Sequence, residues 1–169
     1  YLQCSLKYKF DYIDRLPKPF KPSGLAFGSV IHSSLDWLHR QLIEGDKPSL
    51  ERLLAIFEAD WFSQTVETTV RYKNGESEQG FRTMGRQMLT QYFHSLNGGN
   101  GKPLDAEIPF SLPLVEPDTG EALNLNLNGF IDLMDSEGIV EFKTSARSLN
   151  NQDADESLQL TCYAYAYSL

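Results

Sequence analysis

Two short strands that alternate apolar and acidic residues, joined by a four-residue turn, constrain the fold of this chain more than any other feature. The strands are residues 129–134 and 139–144, and the turn between them is residues 135–138. Antiparallel pairing across this turn places Asp132 opposite Glu141. An apolar face suited to packing against helices is formed by the alternate residues Ile131, Leu133, Val140 and Phe142. The segment therefore predicts a β-hairpin that carries two facing carboxylates on the side away from the core.

Two facing carboxylates in the middle of a hairpin call for a positive charge between them, because like charges directly opposite each other destabilise a sheet. Carboxylate oxygens favour Mg²⁺ or Mn²⁺. Lys143 lies two residues beyond Glu141 on the same face, where its ammonium can contact a bound anion or orient a water. Such a set suits the hydrolysis of a phosphodiester. The alternative, from these residues alone, is a Glu141–Lys143 surface ion pair beside an Asp132 on a solvated face.

Helical patterns precede and follow the strand-rich region. Apolar residues at helical spacing predict one helix over 28–44, a second that begins after Ser49 as N-cap, and a third over 81–96. Asp153 followed three residues later by Glu156 predicts the start of a last helix. The apolar and aromatic residues of these helices are expected in the core, among them Met84, Met88, Tyr165 and Tyr167.

The apolar period changes from that of a helix to two between residues 104 and 144. It is clearest over 123–128, where leucines alternate with asparagines, and it predicts strands. A loop rich in Asn and Gly over 97–101 separates the helical half from the strand-rich half. The order of helices, strands and then a helix indicates a mixed α/β (α+β) domain with a central mixed β-sheet flanked by helices.

The composition is that of one globular domain. The 169 residues are 41% hydrophobic and 22% charged, and no stretch approaches the roughly 18 apolar residues of a membrane span. Cys4 and Cys162 are the two cysteines, which indicates a reducing compartment and a cytoplasmic location. The sequence starts at Tyr1 and stops within an apolar periodic run, so we interpret residues 1–169 as a single domain truncated at its C-terminus.

Charge is distributed unevenly along the chain. The net charge is −8, yet residues 1–24 hold five basic and two acidic side chains, a local charge of +3. This stretch, which includes Lys7 and Lys9 among aromatic residues, can follow a nucleic-acid strand by phosphate contact and base stacking. The alternative is an acidic protein whose end is slightly basic and merely solvated.

With these motifs in place, the hairpin resembles the core of the PD-(D/E)XK nuclease superfamily, in the branch typified by the RecB and AddB nuclease domains. It is also similar to the CRISPR-associated RecB-like exonucleases. Four further stretches agree with the branch in order and spacing. The first is the C-P-x-K-Y-x-F start at Cys4, with Ser5 in place of Pro, and the second is the G-x-x-x-H helix from Gly28 to His32. The third is a strand glutamate, Glu107, and the fourth is the Q-x-x-x-Y helix from Gln159 to Tyr163.

The resemblance implies a restriction-endonuclease-like core and a metal site. It assigns divalent-cation binding to His32, Asp132 and Glu141, together with the backbone carbonyl of Phe142. Lys143 would assist the attacking water. Glu141 stands where this branch commonly has Asp, which the superfamily pattern also accepts. Without the hairpin, His32 would be interpreted as a structural histidine, as His39 and His94 are.

The resemblance also implies residues around that metal site. Glu107 would be an outer or second metal-site carboxylate, and Gln159 and Tyr163, one helical turn apart, would offer an amide and a phenol to phosphate oxygens or a base. Some members hold an iron–sulfur cluster, which needs four thiolates. Here only Cys4 fits that pattern, so the chain as given does not support a cluster. Either the other cysteines lie beyond residue 169, or Cys4 is a buried small hydrophobe in a cluster-free relative.

The function implied is a divalent-metal-dependent DNA nuclease, an exonuclease acting in DNA repair, recombination or related processing. The expected partners are DNA, as single strands or ends, and a helicase or other processing subunit, with no membrane. The alternative is a non-catalytic module that retains the nuclease fold to bind DNA or a protein. The intact set of Asp132, Glu141 and Lys143 favours the enzyme.

Overall fold

The structure is a computed structural model, and it describes residues 4–96, 101–145 and 150–167. A short helix, α1 (Ser5–Tyr8), continues as a π-helical turn at Lys9–Ile13. Three long helices follow, namely α2 (Ser23–Ile43), α3 (Leu50–Glu67) and α4 (Glu78–Leu96). The strands are β1 (Lys21–Pro22), β2 (Val70–Arg71), β3 (Pro103–Val115), β4 (Ala122–Asp135) and β5 (Ile139–Val140). The last two elements of the described residues are the helices α5 (Asn151–Asp155) and α6 (Leu158–Tyr167).

The three long helices enclose the main apolar core. Ser49 caps α3 as predicted, since its hydroxyl accepts a hydrogen bond from the Arg52 N–H at 3.2 Å. Helix α2 begins five residues before the predicted start, at Ser23, because Pro22 precedes the first turn and the buried Ser23 hydroxyl donates to Glu76 at 2.6 Å. The core is lined by Phe27, Val30, Ile31, Leu35, Leu38, Leu53, Phe57, Trp61, Phe81 and Leu89.

Helices α3 and α4 touch at a glycine. A methyl group on Gly85 would lie against the ring of Phe57, 2.6 Å from its Cε2 atom. We therefore expect Gly85→Ala to lower the free energy of unfolding by about 1–3 kcal/mol through overpacking, despite the higher helix propensity of alanine. Thermal unfolding monitored by circular dichroism measures this. Gly24→Ala, in a helical turn with nothing within 4 Å of the new methyl group, is the matched control and should leave the melting temperature unchanged or raised. Equal effects in both variants would contradict the tight contact.

The larger sheet has the order β3-β4-β5 and is antiparallel, while β1 and β2 form a separate parallel pair. The predicted hairpin register is confirmed for two pairs, because Leu133 pairs with Val140 and Met134 pairs with Ile139. The predicted second strand over 139–144 is too long, since β5 ends at Val140 and the ladder does not reach Asp132 and Glu141. Asp135 stabilises the turn by accepting hydrogen bonds from the N–H groups of residues 137 and 138. A sheet flanked by helices in a mixed α/β domain agrees with the predicted fold class, although the larger sheet is antiparallel over its described strands rather than mixed. The predicted loop at 97–101 lies outside the described residues except for Gly101.

Several predictions about burial are wrong. Met84 is 41% exposed, because the buried positions of α4 are Phe81, Gly85 and Leu89, and Met84 lies to one side of that stripe. Tyr165 and Tyr167 are 41% and 67% exposed, since α6 buries Tyr163 and leaves its other faces in water. Cys4 is exposed too, where its sulfur accepts a hydrogen bond from the Lys7 N–H and caps α1.

The C-terminal helical region is divided in two, unlike the single helix that was predicted. Asn150, rather than Asp153, is the N-cap of α5. The Asn150 side chain accepts from the Asp153 N–H, and the Asp153 carboxylate accepts from the Asn150 N–H, so the capping box lies three residues earlier. No helix within the described ranges is long and apolar enough to cross a membrane.

Candidate active site

Three side chains from three elements meet beside the hairpin. His32 on α2, Glu107 on β3 and Asp132 on β4 each present one ligand atom, and these atoms all lie within 4.8 Å of one another. His32 Nδ1 is 3.4 Å from Asp132 Oδ1. Gly28, one turn before His32, allows the segment after Glu141 to approach closely, since a methyl group there would be 3.1 Å from the Thr144 hydroxyl. The sequence prediction that these motifs converge thus has a geometric basis.

Asp132 occupies the point at which β4 and β5 diverge. The ladder between these strands ends at the pair of Leu133 and Val140, so Asp132 and Glu141, next in register, are not held by backbone pairing. The Asp132 side chain holds the two segments together instead, because its Oδ2 atom accepts a hydrogen bond from the Phe142 N–H at 2.8 Å. The Asp132 carboxylate is thereby fixed where β4 and β5 separate, with its Oδ1 atom turned toward His32.

Glu107 reaches the same place through an unusual backbone conformation. Its neighbours Ala106 and Ile108 pair with Leu133 and Ile131, so Glu107 lies opposite Asp132 in the register. Its φ angle is +50°, in the left-handed region that a residue with a side chain adopts at an energetic cost. A strained residue among potential ligands is typical of functional sites. Glu107 is therefore a more central member of the site than the sequence suggested.

The electrostatics of this group favour a bound cation. The hydrogen bond that His32 donates to Asp132 raises the pKa of His32, against the opposing effect of burial, and the charges of Asp132, Glu141 and Glu107 add to the rise. Burial alone would raise the pKa of Asp132, but hydrogen bonds from His32 and the Phe142 N–H lower it. Burial and the charge of Asp132 raise the pKa of Glu107. Several acidic groups thus share a small, partly buried volume.

The donor set suits a hard divalent cation. The two carboxylates supply the oxygen ligands that Mg²⁺ and Mn²⁺ prefer, and the imidazole adds one nitrogen donor of borderline softness. Ligand atoms about 2.1 Å from one octahedral ion lie about 3 to 4.2 Å apart, so the observed separations need only small side-chain rotations to enclose one. His32, Glu107 and Asp132 therefore fit the metal that the motifs imply.

Glu141 is not one of the three clustered ligands, but it interacts with the Asp132 carboxylate and connects it to an adjoining network. One Glu141 oxygen is bound by the Lys143 ammonium, and the other accepts from the Tyr163 hydroxyl at 3.0 Å. Lys143 also donates to Gln159 Oε1 at 2.5 Å, and the Gln159 amide donates to the Tyr163 oxygen at 2.5 Å. Burial, together with Glu141, raises the pKa of Tyr163 to about 12, so the phenol stays protonated. Metal binding by Glu141 and by the Phe142 carbonyl stays a prediction.

Gln159 and Tyr163 are both part of this network. The two side chains lie together, since the Gln159 amide donates to the Tyr163 oxygen, and both also contact the Glu141 and Lys143 pair. At the other end of the chain, Lys9 pairs with Asp14 at 3.1 Å, and Lys7 lies in the last turn of α1. Contacts of Gln159, Tyr163, Lys7 and Lys9 with a substrate stay predictions.

His39 is a structural histidine, as predicted. It is 1% exposed, its ring stacks on Phe142 with centroids 5.5 Å apart, and its Nε2 lies 2.8 Å from the Tyr92 hydroxyl oxygen. Burial lowers its pKa to about 4. The ring beneath Phe142 is therefore neutral at physiological pH and supports the segment after β5 that carries Glu141 and Lys143.

This burial predicts a pH dependence of stability. Between pH 6.5 and about 4 the unfolded chain protonates His39 while the folded chain does not, so the free energy of unfolding falls as the pH is lowered. From pH 6.5 to 5 this contribution is about 2 kcal/mol. Urea unfolding at both pH values measures it, with His39→Phe as the comparison that lacks a titrating ring. An equal loss of stability in both proteins would contradict the buried neutral imidazole.

Sequence reasoning missed two residues beside the site. Asp36 and Arg40 follow His32 at intervals of four on α2, and Arg40 Nε lies 2.7 Å from Asp36 Oδ1. Arg40 also donates to the carbonyl oxygen of Ala106 at 3.2 Å. The spacing of Asp36 and Arg40 could have identified them, since polar residues one and two turns after His32 share its side of the helix.

One of three comparisons with known proteins identifies the family of this chain. The family model of the PD-(D/E)XK nuclease superfamily matches residues 1–169, and the chain belongs to this superfamily. The comparison with curated proteins and the comparison with solved structures each gave no match. The enzymes of this nuclease superfamily generally use divalent metals.

Proposed function

We propose that this chain is a divalent-metal-dependent deoxyribonuclease that acts as an exonuclease of the RecB-like type, in DNA repair, recombination or related DNA processing. The observation that carries the proposal is the convergence of His32, Glu107 and Asp132 directly beside the Glu141 and Lys143 pair. A metal-binding set and a positioned ammonium are the two parts that phosphodiester hydrolysis requires.

Each residue has a defined task in this proposal. His32, Glu107 and Asp132 would hold Mg²⁺ or Mn²⁺, which when bound supplies a Lewis acid for the charge that develops on the phosphate. Lys143 orients the attacking water or contacts the phosphate. Glu141, Gln159 and Tyr163 restrict the position of the Lys143 ammonium through the hydrogen bonds described above. Placing these groups in advance lowers the cost of arranging them during the reaction.

The test is cleavage of end-labelled single-stranded and double-stranded DNA by the purified chain in Mg²⁺, in Mn²⁺ and in EDTA. Covalently closed circular DNA separates exonuclease from endonuclease activity, because it offers no end. We expect degradation from ends that EDTA abolishes. Cleavage of circles at the same rate would overturn the exonuclease assignment, and DNA binding without metal-dependent cleavage in any condition would favour a non-catalytic module.

A further inference from the structure

Arg40 links helix α2 to the strained part of strand β3. His32, Asp36 and Arg40 follow one another at intervals of four residues on α2. The Arg40 side chain is 50% exposed, yet two of its nitrogen atoms have partners: Nε is paired with Asp36, and Nη2 donates to the Ala106 carbonyl. The guanidinium fork therefore joins a helix side chain to one particular strand carbonyl.

That carbonyl belongs to the peptide unit between Ala106 and Glu107. The φ angle of Glu107 is the rotation about its own N–Cα bond, so the orientation of this peptide plane and the φ angle of Glu107 are coupled. A partner that holds the Ala106 oxygen toward α2 therefore favours the left-handed φ of +50°. The left-handed conformation is costly for a residue such as Glu and persists where surrounding contacts impose it.

We propose that Arg40 is a positioning residue for the metal site: by binding the Ala106 carbonyl it keeps Glu107 in the conformation that brings its carboxylate to His32 and Asp132. This inference rests on the metal site of the proposed function. Asp36 adds to the arrangement through an ion pair, because its Oδ1, one turn earlier on the same helix, lies 2.7 Å from Arg40 Nε and so favours a guanidinium near β3.

The positioning role and a purely electrostatic role predict opposite signs for cation binding. Removing a positive charge near a cation site strengthens cation binding if charge is all that matters. Removing the group that positions a ligand weakens it, and residues that orient metal ligands typically contribute 10- to 100-fold in affinity. The sign of the change therefore distinguishes the two roles.

The experiment is Mn²⁺ binding to the full chain without DNA, measured by titration calorimetry and by electron paramagnetic resonance of free Mn²⁺. We expect Arg40→Gln to raise the Kd about 10-fold or more, and Arg40→Lys to raise it less. In a Glu107→Gln background, Arg40→Gln should leave the Kd unchanged or lower it, because the carboxylate that Arg40 positions is gone. Arg82→Gln, which removes an ion pair with Glu58 of the same 2.7 Å length, is the matched control and should change the Kd less than twofold.

Each outcome has a distinct meaning. If the parent binds Mn²⁺ and Arg40→Gln binds it equally or more tightly, the positioning role is overturned while the metal site stands. If Arg40→Gln weakens binding equally with and without the Glu107 carboxylate, the effect does not pass through Glu107 and the inference is again overturned. If the parent does not bind Mn²⁺, the proposed metal site fails and this role of Arg40 fails with it. Should Arg40→Gln not fold, the Arg40→Lys comparison in both backgrounds applies the same criteria.

Discussion

Asp132→Asn should reduce cleavage of DNA at least about a thousandfold. The cation contributes several kcal/mol of charge stabilisation, and each 1.36 kcal/mol corresponds to a factor of ten in rate. An amide of the same size removes the charge that attracts the metal, while its oxygen can still accept from the Phe142 N–H that Asp132 now binds at 2.8 Å. The measurement is the initial rate on end-labelled DNA in saturating Mg²⁺ or Mn²⁺.

Stability measurements separate this loss from unfolding. In EDTA, the melting temperature of Asp132→Asn should stay within about 3 °C of the parent, since the lost ion pair with His32 is offset by relieved repulsion from neighbouring carboxylates. With metal at a hundred times its Kd, the parent should gain about 2.7 kcal/mol and the variant much less. Glu137→Gln, an exposed acid in the turn of the same hairpin, is the matched control. A variant that keeps both activity and the metal-dependent gain would contradict the assignment.

Lys143→Ala should reduce cleavage by about 10²- to 10⁴-fold, the usual contribution of a positioned proton-transfer or water-orienting group. DNA binding should fall less than about threefold, because one ammonium among many phosphate contacts matters more to the reacting phosphate than to overall affinity. Fluorescence anisotropy with labelled DNA in EDTA measures binding apart from cleavage.

The affinity for Mn²⁺ provides a second criterion for Lys143. Lys143 contacts Glu141 and Gln159 but is not one of the three clustered ligands, so its removal should leave the metal bound. Lys47→Ala, an exposed lysine in the loop after α2, controls for the loss of one positive charge. Equal losses of DNA binding and of cleavage in Lys143→Ala would show that Lys143 anchors the DNA and does not act in the reaction.

The local features of this protein were determined by its sequence. The length of the turn and the alternation of apolar residues set the hairpin register, because both act between neighbours along the chain. The Ser49 cap and the helical stripes are local for the same reason. The order of the motifs identified the superfamily and named His32, Glu107 and Asp132 as candidate ligands before their distances were known.

Which side chains lie together at the candidate site was decided only by tertiary structure. Glu107 joins the cluster through strand pairing and a left-handed torsion, and Glu141 turns toward Lys143 and Tyr163. The hydrogen bond from Arg40 to Ala106 joins residues 66 positions apart. Periodicity reports which face of an element is apolar, but it carries no information on which distant side chain will lie opposite a given polar one. That pairing depends on how helices and strands pack, because the direction of a carboxylate is set by whichever donors surround it.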